Sequence, residues 1–208
     1  MTPPLASVED VVFQVANVLR VPVLIVALAA LALVVIELGA LSVELVRRRR
    51  RDSDRLEQAA FAARTAQGDD REPALLALQG ASSSEAMANA VARVAGLAGA
   101  PGAETRIAKS LADFDLRSLR RLERTRMLVR AGPALGLMGT LIPLSPALSG
   151  LASGDVTRLT DNLRVAFSIT VLGLLIGALA FGVSLVRDRL YAQDLSDLEF
   201  VASVLEER

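Results

Sequence analysis

Two apolar runs in the C-terminal half limit what this chain can fold into. No ionisable side chain occurs in residues 131–150 or 165–186, and a helix that crosses a bilayer needs about 20 predominantly apolar residues in succession. A polar stretch, 151–162, separates them. The polar side chains inside the runs are hydroxyls: Thr140, Ser145, Ser149, Ser168, Thr170 and Ser184. A hydroxyl can bond back to a carbonyl of its own helix, so it enters lipid without an external partner. The runs together predict a membrane hairpin.

Small residues recur along both halves. Gly132, Gly136, Thr140, Pro143, Ala147 and Gly150 follow one another at steps of three or four, as do Ala166, Thr170, Gly173, Gly177, Ala180 and Ser184. Such steps line one face of a helix, and in lipid that face is where backbones approach each other. The seams can serve only to hold the hairpin together. Thr140 and Thr170, the hydroxyls on them, can also line a polar path, and the spacing alone does not choose between the two.

Residues 133–140, Pro-Ala-Leu-Gly-Leu-Met-Gly-Thr, together with 168–174, Ser-Ile-Thr-Val-Leu-Gly-Leu, resemble the signatures of the MotA/TolQ/ExbB proton-channel family. The resemblance covers about 60 residues, with the motifs in the family's order. It implies the larger subunit of an ion-driven membrane motor, with five copies around two copies of a smaller, one-span subunit of the ExbD/TolR/MotB kind. On that basis Thr140 and Thr170, with Ser168, Gly136, Gly173 and Gly177, would line the ion pathway. Pro133 would mark the bend where a cytoplasmic helix enters the membrane. Relatives commonly carry a glutamate five residues before the last-span threonine; this chain has Val165 there, beside Arg164.

Composition narrows the chemistry further. Hydrophobic residues make up 52% of the chain and mean hydropathy is +0.45, high for a soluble domain. The net charge is zero, so no charge excess suggests nucleic acid as a partner. Without Cys or His there is neither a thiolate or imidazole metal ligand nor a side chain that titrates near neutrality. No nucleophile-and-base pairing stands out. The expectation is a protein that is not an enzyme and carries no cofactor or metal.

The chain divides into seven stretches. Residues 1–20 form a mildly amphipathic lead, with Val8, Val11, Val12, Val15, Val18 and Leu19 on one face, suited to the membrane surface. A first span, 21–46, ends in an arginine run, 47–51. A cytoplasmic helical region, 47–126, is expected to contain helices over 52–67 and 73–79, another after 82–84 with Ser84 as cap, a loop at 96–102, and a long helix from Thr105 into the membrane. The second span is 127–150, the outer loop 151–162 with Asp155 or Thr160 as cap, and the third span 163–187. The tail, 188–208, continues as a helix packed on the one from Thr105. Ser110, Asp113 and Asp115 read as a solvated face. The fold class is therefore all-α, an integral membrane protein with three transmembrane helices and a helical cytoplasmic bundle.

Orientation follows from the arginines. Basic residues flanking spans favour the cytoplasm, which places 47–51, 117–130 and 187–189 inside. The N-terminus is then outside and the C-terminus in the cytoplasm, and the resemblance implies the inner membrane of a prokaryotic cell. Glu37 lies ten residues before Arg47, or about 15 Å along a helix. A carboxylate at that depth is a functional candidate by default. It has two readings, a structural hydrogen bond to a neighbouring helix or part of an ion-access route. Glu44 is placed to pair with Arg48 four residues on, or to share that route. Because the hairpin holds no acid, the resemblance implies that the ion-binding carboxylate comes from the small subunit. A non-conducting membrane scaffold and a non-rotary transporter subunit are the alternatives.

Overall fold

The computed structural model describes residues 4–48 and 53–207, except for the side chains of 4–10, 12, 13, 16, 17 and 53. Arg49, Arg50 and Arg51 of the arginine run, and the side chains of Val8 and Val12, lie outside the described residues. Every regular element described is helical: α1 Pro4–Arg48, α2 Ser53–Thr65, a single 3-10 turn Gly68–Asp70, α3 Arg71–Gly80, α4 Glu85–Leu97, α5 Ala103–Ala152 and α6 Val156–Glu206. Among the described residues three helices are long and apolar enough to cross a membrane, α1 over Val18–Arg48, α5 and α6. The chain resolves into two units, residues 1–39 with 124–184, and residues 40–123 with 185–208.

The first unit pairs α5 with α6 and sets the apolar part of α1 against them. Ala30 and Val34 of α1 are buried with Ile176 and Ala180 of α6, flanked by Leu128, Val129 and Leu135 of α5. The leading segment of the chain is helical from Pro4 and runs without interruption into the first apolar stretch, through Pro22.

The break between the two spans is shorter than the polar stretch 151–162 suggested. α5 ends at Ala152 and α6 starts at Val156. Gly154 supplies a left-handed residue, φ +76°, a conformation that glycine adopts without steric penalty. The Asp155 backbone N–H then donates to the Gly150 carbonyl at 2.8 Å. Of the two expected caps Asp155 is the one used, its Oδ1 accepting from the Arg158 N–H at 2.9 Å. The Thr160 hydroxyl bonds back to Val156 instead.

The second unit is a small helical bundle with its own core. Leu56, Ala60 and Ala63 of α2, Leu78 of α3, and Met87, Ala90, Val91 and Val94 of α4 are buried with Ile107 and Phe114 of α5 and Leu198, Val201 and Leu205 of α6. The end of α6 is thus packed on the start of α5. Ser84 begins α4 as expected: it is extended, and its Oγ accepts from the Met87 N–H at 3.2 Å. Satisfying one of the free N–H groups of a first turn contributes about 1 kcal/mol. The expected solvated face at 110–115 holds for Asp113, which pairs with Lys109. Ser110 departs from it: the side chain is buried, because it falls on the inward side of α5 one turn after Ile107.

One buried ion pair fastens this bundle. Arg48, at the end of α1, donates to both oxygens of Asp194 on α6, at 2.7 and 2.6 Å. Its Nη2 also reaches Glu44 at 3.0 Å. Ser83, on the turn before α4, donates its hydroxyl to Asp194 Oδ1. A two-pronged guanidinium–carboxylate contact is among the stronger side-chain interactions.

Candidate functional site

The contact between α5 and α6 in the first unit is made backbone to backbone. A Cβ built on Gly173 would lie 2.5 Å from the Gly132 carbonyl oxygen and 2.6 Å from Gly136 Cα. One on Gly132 would come within 2.7 Å of both the Gly173 oxygen and the Gly177 nitrogen. At Gly177 the neighbour is the Pro133 ring, 2.9 Å from the added carbon. The seam therefore closes backbone to backbone at Gly132, Gly136 and Gly173, and at Gly177 leaves room only for the Pro133 ring, as expected for helices that associate in lipid by close approach.

A test follows at once. Gly173→Ala places a methyl inside backbone atoms that no rotamer change can clear. We expect a loss of about 1–3 kcal/mol, read as a lower melting temperature in fluorescence-detected gel filtration of the detergent-solubilised protein. Gly182→Ala on the same helix is the control. An added Cβ there meets nothing within 4 Å, and the exchange should leave stability unchanged or raise it, since alanine favours helix over glycine by about 1 kcal/mol.

The two threonines occupy this seam. Thr170 is half-buried, and its Oγ1 donates to the Ala166 carbonyl of its own helix at 3.2 Å. A longer contact, 3.5 Å, runs across to the Gly136 carbonyl of α5. Thr140, one turn beyond Gly136, is half-buried as well and donates to the Leu137 carbonyl at 2.8 Å. Ser168 is exposed and donates to Arg164 at 2.8 Å. Gly136, Gly173 and Gly177 are buried, whereas Pro133 is exposed. The structure thus brings Gly136, Gly173, Gly177, Pro133 and Thr170 into one contact strip, with Thr140 continuing it along α5.

The chemistry available there is limited to hydroxyls and carbonyls. These can coordinate or pass on a cation but cannot carry a net charge. Among the described residues no group of acidic, His or Cys side chains is placed to hold a metal ion.

Glu37 and Glu44, both on α1, fall in different units. Glu37 is half-buried in the first, three residues after the buried Val34. Glu44 belongs to the second, 3.0 Å from Arg48 and 3.8 Å from Arg187 Nε. Its carboxylate is taken up by guanidinium groups, which matches the pairing reading of Glu44.

Two buried polar positions lie outside the sites expected from sequence. Asp194 sits in a tail that reads as an ordinary amphipathic helix, and its partner precedes it by 146 residues. Thr125 is completely buried on α5, although the arginines around it in sequence suggest a solvated stretch. Its place in the i, i+3 row with Leu122 and Leu128 was the available clue.

Three long apolar helices, two of them joined through a seam of glycines, make this a multi-pass membrane protein. Residues 83–199 match the sequence profile of the MotA/TolQ/ExbB proton channel family, and the chain belongs to that family. No curated protein and no solved structure matches it.

Proposed function

We propose that the chain is the channel-forming subunit of an ion-driven motor in the inner membrane. Five copies enclose two copies of a smaller, one-span partner, and proton or sodium flow between them drives work in the cell envelope. Thr140 and Thr170 from every copy face the bore. The observation that carries this is the charge-free seam: residues 131–150 and 165–186 contain no acid, in a chain of a proton-channel family. An ion crossing such a seam needs a group that binds and releases it, usually a carboxylate, so a separate polypeptide lends one. The N-terminus is outside and the C-terminus in the cytoplasm, in keeping with the arginines that follow α1.

Val165, in place of the glutamate common in relatives, leaves the outer part of the pathway without a charged ring from this subunit. A rival reading is a scaffold that holds a partner complex without conducting, or a non-rotary transporter subunit. It draws on one observation, that both threonine hydroxyls already bond to their own helices.

The deciding experiment is co-purification with the one-span protein that carries an aspartate early in its helix, followed by native mass spectrometry. Five copies to two supports the motor. A lone chain, or a ring with no foreign helix, overturns it.

A further inference from the structure

The second unit contains a cavity of about 1050 Å³ whose walls are rich in arginine. Arg47 and Arg48 enter from α1, Arg93 from α4, and Arg117, Arg120 and Arg121 from α5. The acids on the same walls are Glu44, Glu85 and Asp194. Asp194 is committed to Arg48, and Glu44 to Arg48 with Arg187 nearby. Among the described residues no ion pair engages Arg47, Arg93, Arg117 or Arg120. On the walls themselves six arginines from three helices thus meet three acids; Arg47, Arg93, Arg117 and Arg120 are solvent-exposed, and Asp113 acts by charge on Arg93 and Arg117 from outside the wall.

Hydrogen-bond donors other than arginine also line the cavity. Ser84, Glu85 and Ala86, the cap and first turn of α4, form part of the wall, and the start of a helix carries partial positive charge and free N–H groups. Asn89, on the next turn, adds an amide. Arg48, nine-tenths buried, also has an Nε–H with no acceptor among the described residues. Guanidinium groups that line one wall repel one another less when an anion lies among them, and their planar forks suit phosphate oxygens.

We propose that this cavity binds a phosphate-bearing anion through Arg47, Arg93, Arg117 and Arg120. The cavity is too large for phosphate alone and has room for a phosphodiester with its glycerol, or for a chain of phosphates. Arg47 directly follows the apolar stretch ending at Val46, the level at which basic residues meet anionic headgroups. The oxyanions can therefore come from a lipid headgroup or from a soluble polyphosphate. This site is independent of the motor proposal.

The full chain, purified in detergent, is titrated in native mass spectrometry with phosphatidylglycerol, phosphatidylcholine or tripolyphosphate. One of the two phosphate anions should bind at a concentration at least tenfold below phosphatidylcholine, and Arg117→Gln with Arg120→Gln should weaken it tenfold or more. Arg124→Gln, outside the cavity, should not. Preference for phosphatidylglycerol identifies a lipid site, and preference for tripolyphosphate a soluble ligand.

Asn89→Glu provides a second variant that removes no arginine. It puts a carboxylate on an exposed position of the wall and should lower the same affinity. Equal binding of phosphatidylcholine, or anion binding that survives both the arginine pair and Asn89→Glu, overturns the proposal.

Discussion

Asp194→Ala is expected to destabilise the protein by about 3–5 kcal/mol, the usual effect of removing one partner from a buried ion pair. The carboxylate is 2% exposed and the guanidinium it holds 6%, so the orphaned charge cannot turn to water. Glu44 remains in reach of Arg48, but it is the more exposed partner, at 24%, and meets one Nη at 3.0 Å. It softens the loss without replacing a two-pronged contact. Ser83 loses its acceptor on Asp194 too, though its hydroxyl also lies 3.3 Å from Met87 Sδ.

Removing both charges separates burial of a lone ion from loss of the contact itself. Arg48→Met with Asp194→Leu should recover most of the stability, because apolar groups of similar size replace such pairs with little loss. Melting curves of the four proteins, wild type, two singles and the double, read the coupling directly. Single and double variants that melt with wild type would show that the pair adds nothing. A double variant less stable than either single would instead make the pair a requirement of the bundle.

How much of this was legible in the sequence depends on the range of the interaction. The apolar runs and the glycine steps report local periodicity, and they placed the α5/α6 seam through Gly132, Gly136, Gly173 and Gly177 before any coordinates. Ser84 as a cap was equally readable, since capping acts within one turn. Glu44 with Arg48 is an i, i+4 pair and was visible for the same reason.

The extent of the long helices was less readable. Residues 156–162 are polar and look like loop, yet they are helical. The exposed Thr160 hydroxyl and the buried Asn162 amide bond back to carbonyls of their own helix, at 2.8 Å each, so polarity there marks no break in the helix. α5 also continues through Pro133, Pro143 and Pro146, residues that in sequence argue for an interruption. The tie from Arg48 to Asp194 and the gathering of arginines from α1, α4 and α5 are tertiary, and no window of sequence contains them.

Thr170→Val should lower ion flux at least tenfold while leaving the fold in place, and that combination decides between a conducting subunit and a scaffold. Valine keeps the branched shape and removes only the hydroxyl. The bonds lost are the one to the Ala166 carbonyl, at 3.2 Å, and the 3.5 Å contact to Gly136. Neither is a strong one, because both lie at the long end of hydrogen-bond geometry. Their removal should change stability by no more than about 1 kcal/mol. Thr140→Val loses a 2.8 Å bond to Leu137 and should behave alike, since that carbonyl also belongs to a helix.

If the hydroxyls solvate the ion as it passes to and from the partner's carboxylate, each loss leaves a bare apolar stretch in the path. Flux through the reconstituted complex, followed with a pH-sensitive dye in liposomes, should then fall at least tenfold for either variant, whereas Thr170→Ser should retain most of it. A scaffold has no use for the hydroxyls beyond back-bonding. Valine variants that conduct as wild type would therefore remove the threonines from the pathway, and a wild-type complex that passes no ions would remove the pathway itself.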